Sequence, residues 1–189
     1  MQAHNLYPRS TTHSLICLYN SGMEHTTKKK IVAVSGGFDP IHIGHVRMLQ
    51  EARALGDKLI VILNNNDWLV AKKGFAFMPQ EERAELLLAY DFVDEVVLTC
   101  HSLEELTIEE NWAYHRSVSR ELEKIRPHIF ANGGDRDEND SKNPKSSLYW
   151  DIKTCSDLGI DMIFGIGHGG KVQSSSWLIS KAKEAQKAK

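Results

Sequence analysis

The sequence predicts an α/β fold: a parallel sheet wound on both faces by helices, three layers deep. Three observations carry that expectation. From residue 30 onward, short strand-like apolar runs alternate with stretches of helical periodicity, the order that places a parallel sheet between helices. The run Ile31-Val32-Ala33-Val34 is rich in β-branched residues, which suits a strand buried on both faces. The chain has 189 residues, 41% hydrophobic and 25% charged, which is enough for one globular domain with a sizeable core.

The elements follow in order. Residues 1–29 are polar, with Thr11-Thr12, Thr26-Thr27 and the basic run Lys28-Lys29-Lys30 at their end. They are expected to form a flexible N-terminal tail ahead of a single domain, 30–189. Leu15-Ile16-Cys17-Leu18-Tyr19 is too short for a signal-peptide core or a membrane span, and Met23 is an alternative start. Strands are predicted at 30–35, 58–64, 94–98, 128–132 and 160–165. Helices are predicted at 44–55, 79–90, about 108–126, 146–158 and 174–187. Over 44–55 the apolar residues Val46, Leu49, Ala52 and Leu55 share one face, and Pro79 stands at a helix start, its favoured place. In sheets of this kind ligands bind beyond the carboxyl ends of the strands, near the switch in strand order. No internal repeat or second domain is visible.

Composition excludes several classes. A formal charge of −2 leaves no electrostatic footprint for nucleic acid. Cys17, Cys100 and Cys155 are odd in number, far apart and without CxxC spacing. They speak against a disulfide framework or a zinc knuckle and for a reducing, cytoplasmic compartment.

The densest chemistry lies after the first strand, where residues 36–45 read Gly-Gly-Phe-Asp-Pro-Ile-His-Ile-Gly-His. Gly36 and Gly37 permit a tight turn, and Phe38 and Asp39 follow. A helix beginning near Gly44 directs its unpaired N–H groups at whatever the loop holds, and His42 and His45 stand at that same end. A strand, a glycine turn, two histidines and a helix N-terminus describe a site for polyphosphate. No Gly-Lys-Ser/Thr follows, so this is not a Walker loop. The block resembles the HxGH motif of the cytidylyltransferase-like nucleotidyltransferases. These enzymes move a nucleoside monophosphate from a triphosphate onto a phosphate acceptor.

That resemblance extends in order over residues 31–180 and implies a Rossmann-like sheet. Lys73, before Gly74, and Arg83, on the following helix, match the lysine-glycine and arginine positions of sugar-phosphate members, with Lys72 a near neighbour of Lys73. Gly133-Gly134-Asp135 resembles the Gly-Gly-Asp after strand four of heptose-phosphate adenylyltransferases, although Arg136 departs from the aromatic residue common there. Ser174, Ser175 and Ser176 match the hydroxyl cluster that opens the family's last helix and binds triphosphate; as helix caps they also suit an anion. The resemblance implies catalytic roles for His42, His45 and Lys73. It implies nucleotide contacts for Gly36, Gly37, Phe38, Asp39, Gly44, Arg83, Gly133, Gly134, Asp135 and the three serines. Asp39 either orders the glycine loop or approaches the metal.

The activity implied is transfer from ATP or CTP, with ATP favoured slightly, to a phosphorylated sugar, polyol or similar metabolite. Mg²⁺ would accompany the pyrophosphate. Homodimers are common in such enzymes; membrane and nucleic-acid partners are not expected. Alternatives are an FMN or nicotinamide-mononucleotide acceptor, or a nucleotide-binding regulator without turnover. A fragment of a class I aminoacyl-tRNA synthetase shares the histidine motif, but Ser180-Lys181-Ala182-Lys183 is a poor substitute for its second signature. His101, His115 and His168 fall outside the motifs and read as ordinary surface, helix or loop residues.

Overall fold

The computed structural model describes residues 29–133, 142–167 and 173–187. Five strands, β1 (Ile31–Gly36), β2 (Lys58–Leu63), β3 (Glu95–Leu98), β4 (Ile129–Gly133) and β5 (Asp161–Ile166), form one sheet in the order β3-β2-β1-β4-β5. All pairings are parallel. Each predicted strand is present, with its ends within a residue or two.

Alternation along β1 shows why the sheet is covered twice. Val32 and Val34 belong to one core with Leu59, Val61 and Leu63 of β2, packed under Leu49 and Ala52 of helix α1 (Ile43–Ala54). Ala33 points to the other core with Ile62 and Phe130, under Leu122 and Cys155. Those two residues come from α6 (Ser119–Ile125) and α7 (Ser147–Leu158). Successive strand residues therefore feed opposite faces, and both faces find helices.

Two sequence expectations are corrected. Between the predicted strand 58–64 and the predicted helix 79–90, where no element was expected, lies a helix: α2, Asn66–Lys73. Its Asn65 cap accepts from the Trp68 backbone N–H, and Gly74 ends it at φ 86°, the left-handed conformation glycine adopts freely. Further on, α3 (Gln80–Leu88) corresponds to the predicted 79–90. The single helix expected over about 108–126 is instead two pieces, α5 (Trp112–His115) and α6, and a further short helix that was not expected, α4 (Leu103–Leu106), precedes them. At Val118 the backbone N–H turns away from the helical ladder and donates to Asp151 Oδ1 of α7 at 2.8 Å. A contact from across the fold therefore sits where α6 starts, at its cap residue. The last helix is α8, Ser175–Lys187. None of the helices among the described residues is long and apolar enough to cross a membrane.

Strand order reverses between β1 and β4, and both strands end in glycine there. The crevice outside that point is where ligands bind in open parallel sheets.

Candidate active site at the carboxyl edge of the sheet

A cleft of about 310 Å³ opens at that switch point. Gly36 and Gly133 form its floor, α1 and the start of α8 one wall, and α2 the other. The floor requires glycine at 133. A Cβ there would lie 2.7 Å from the Ile166 carbonyl oxygen and 2.8 Å from Met48 Cγ.

The two histidines meet at the start of α1. Their rings stack with centroids 3.7 Å apart and planes 17° from parallel, and the His45 ring also leans on Phe38 at 4.9 Å. The residue between them explains the motif's spacing, because a Cβ on Gly44 would come within 3.1 Å of the His42 ring. The His42 backbone N–H donates to His45 Nδ1 at 3.4 Å, which leaves the proton of a neutral His45 on Nε2. Burial lowers the His42 imidazole from its ordinary value. Burial, with the His42 ring beside it, brings His45 down to about 3. Both rings are therefore neutral near pH 7, a point the sequence left open.

Asp39 lies at the root of the opposite wall, 2% exposed. Its Oδ2 accepts from Lys73 Nζ at 2.6 Å and from the Phe77 N–H at 2.8 Å, and its Oδ1 accepts from the Met78 N–H at 2.7 Å. Lys73 Nζ also donates to the Asp39 carbonyl at 2.9 Å. Of the two roles open to Asp39, this geometry fits the ordering one. Its carboxylate holds the lysine and the 74–78 loop, and a carboxylate so engaged does not fit a metal ligand. Among the described residues no group of three or more His, Cys, Asp or Glu side chains is placed to hold a metal ion.

Arg83 lies elsewhere than the sequence suggested. It is fully buried beneath the cleft and does not line it. Its guanidinium donates to the carbonyls of Met78, Gly37 and Asn64 and to Asn66 Oδ1, at 2.7–3.0 Å. It ties three loops together from below and has no face left for a phosphate. Burial lowers it from its ordinary value, while Asp39 and Glu81 act in the opposite direction.

The serine cluster is where the sequence predicted, at the start of α8. Ser174 Oγ accepts from the Trp177 N–H at 3.2 Å as a helix cap, and Ser175 Oγ donates to the Pro40 carbonyl at 3.0 Å, pinning α8 to the histidine loop. Ser176 lines the cleft beside them. The cleft thus gathers Gly36, Gly37, Phe38, Asp39, His42, Gly44, His45, Lys73, Gly133 and the three serines. Gly134 and Asp135, with Arg136 and His168, lie outside the described residues.

Sequence reasoning missed two contributors. Trp68 lines the α2 wall beside Lys72, the neighbour already named with Lys73, and Glu51 of α1 accepts from the Gly167 N–H at 2.5 Å, fixing the end of β5. The Asn65 cap and Gly74, framing eight residues, were the available signal for α2 and its wall. His101 is also not an ordinary surface residue. It is buried at the end of β3, with Nε2 3.0 Å from the Ser117 carbonyl.

A profile of the cytidylyltransferase-like family matches residues 33–151, more than half of the chain. Among curated relatives, the FAD synthase of Thermococcus onnurineus is 42% identical over 117 residues, which cover 60% of this chain and 69% of that protein. The bifunctional protein HldE of Aliarcobacter butzleri is 36% identical over 118 residues, 61% of this chain but 22% of that protein. The chain therefore spans about a fifth of the HldE relatives it matches. The lipopolysaccharide core biosynthesis protein of Thermoplasma volcanium shares the fold, with a TM-score of 0.56, 19% identity, and coverage of 74% of this chain and 98% of that one. So does Thermotoga maritima TmcAL, bound with alpha-thio ATP, with a TM-score of 0.54, 16% identity, and coverage of 83% and 51% respectively.

Proposed function

This chain belongs to the cytidylyltransferase-like family, and from that premise we propose that it is a nucleotidyltransferase acting on ATP and a phosphorylated small metabolite. A phosphate oxygen of the acceptor attacks the α-phosphorus in line. The new O–P bond forms as the bond to the bridging oxygen breaks, and the electron pair leaves with pyrophosphate. An ionised phosphate needs no strong base, so positioning and charge stabilisation carry the reaction.

The observation that carries this reading is the pair of neutral, stacked imidazoles at a helix N-terminus, facing a lysine fixed by a buried carboxylate. A neutral ring donates one N–H, as neutral histidine electrophiles do elsewhere. His45, with its proton on Nε2, is poised to donate to oxygens that gain charge as pyrophosphate departs. Lys73 is the paired cation at the opposite wall, and the serine cluster with the α8 N-terminus receives the triphosphate. Mg²⁺ is proposed to arrive on the nucleotide, since Asp39 is committed to Lys73 and the loop.

ATP is favoured over CTP because FAD, the product named for the synthase relatives, contains an adenylate half. The same relatives support a second reading in which FMN is the acceptor, and sugar or polyol phosphates are the first. Pyrophosphate release with Mg²⁺ tests both, using ATP and CTP against FMN, nicotinamide mononucleotide and a panel of sugar and polyol phosphates. Release that depends on one acceptor establishes the activity. Nucleotide binding without release from any acceptor in the panel favours a regulator.

A further inference from the structure

Phe75 joins the two walls of the cleft without lining it. It stands half-buried in the loop between α2 and α3. Lys73 Nζ lies 5.2 Å from the centre of its ring, and Lys183 Nζ of α8 lies 5.3 Å from the same centre. At both distances an aromatic face attracts an ammonium.

The ring itself is well held. Gly74 before it turns the chain at φ 86°, and the N–H groups of Phe77 and Met78 after it are bound by the Asp39 carboxylate. Helix α8 has less to hold it. None of its described residues is buried, so little apolar packing fixes its course. Ser175 Oγ ties its start to the Pro40 carbonyl, and about two turns further on Lys183 rests on Phe75.

Lys73 has a matching need. An ammonium carries three N–H donors, and Lys73 gives one to Asp39 Oδ2 at 2.6 Å and one to the Asp39 carbonyl at 2.9 Å. The third is left for the cleft that Lys73 lines. Two bonds to one residue let the ammonium pivot, and a fixed ring beside it limits that pivot.

We infer that Phe75 is a positioning residue for Lys73, and that Lys183, resting on the same ring, lets α8 steady that lysine. The helix whose start is proposed to receive the triphosphate is thereby coupled to the cation of the opposite wall. The effect on rate rests on the nucleotidyl-transfer reading; the coupling of the two lysines does not.

Two measurements test this. The first is the rate of pyrophosphate release. Phe75→Leu should lower kcat about three- to tenfold with the nucleotide KM nearly unchanged, and Phe75→Tyr should keep most of the rate. Lys183→Ala should lower kcat about two- to fivefold, and Lys183→Arg should restore it. The double variant of Phe75→Leu and Lys183→Ala should be no slower than Phe75→Leu alone. A wild-type rate in Phe75→Leu overturns the inference, as do losses that multiply in the double variant. A raised nucleotide KM in Lys183→Ala also overturns it, because Lys183 would then meet the nucleotide itself. The second measurement is NMR of isotope-labelled lysine side chains in the full chain without substrate. The ring should shift the signals of Lys73 and Lys183, Phe75→Leu should remove both shifts, and Lys183→Ala should move the Lys73 signal. A Lys73 signal unmoved by Lys183→Ala overturns the inference. If the wild type releases no pyrophosphate with any acceptor, the nucleotidyl-transfer reading fails instead, and the lysine signals alone decide.

Discussion

The two walls of the cleft solve the problem of facing polyphosphate in opposite ways. At α1, burial strips charge from His42 and His45 and leaves neutral N–H donors. At α2, a buried carboxylate keeps a lysine in place, with an arginine bracing the loops below. One wall is made ready by withholding charge and the other by pairing it. The difference shows that donors and cations can be held ready without assembling bare positive charge, which would repel itself in a small cavity.

The comparison breaks most severely at its brace. Arg83→Met leaves the Gly37, Asn64 and Met78 carbonyls without their buried donor and should cost roughly 3–5 kcal/mol of stability. Chemical denaturation reads that loss. An unchanged midpoint together with weakened nucleotide affinity would return Arg83 to the phosphate-binding role. On the uncharged wall, His45→Ala should lower the rate of pyrophosphate release about 10²- to 10³-fold, with nucleotide affinity nearly unchanged. Equal losses in rate and affinity would show that the ring serves binding. On the charged wall, Lys73→Ala should slow release about tenfold to a hundredfold. Asp39→Asn should do about as much, because the amide turns an N–H donor toward one of the donors that the carboxylate accepts from and no longer pairs the lysine's charge.

The remaining test addresses charge withholding directly. His45 titrates at about 3 in the folded protein against about 6.5 when unfolded. Between those values the unfolded chain binds the extra proton. The contribution is therefore complete above about pH 6.5 and declines as pH falls toward 3, by roughly 1.4 kcal/mol per pH unit. Denaturation of wild type and His45→Asn across that window should show the slope in the first and a flatter line in the second. Parallel curves would mean that the imidazole is not held neutral.

Much of this was legible in the chain. The five strands were readable because their apolar runs are short and bounded by glycine, proline or charge, and the order of motifs pointed to the cleft. The Ser174 cap and the Gly44 spacing are local facts, and local facts show in a sequence. What escaped depends on distant partners. Helix α6 begins where it does because Asp151, from α7, takes the Val118 N–H. Arg83 is sealed because three loops converge on it, so its cationic letter suggested a ligand where the fold needed a brace. The charge of His42 and His45 follows from burial, which no motif records. Helix α2 was obscured by three successive asparagines, residues of low helix propensity, although one of them is its cap.

The central strand has a consequence for how the molecule comes apart. β1 pairs with β2 on one side and β4 on the other, and sends Val32 and Val34 into one core and Ala33 into the other. Neither helical layer can melt while keeping its own half of the sheet, because both halves share this one ribbon of backbone. Unfolding should therefore be a single cooperative event, with probes on α1 and on α7 reporting the same midpoint. The amide protons of Val32–Val34 should be among the last to exchange with solvent.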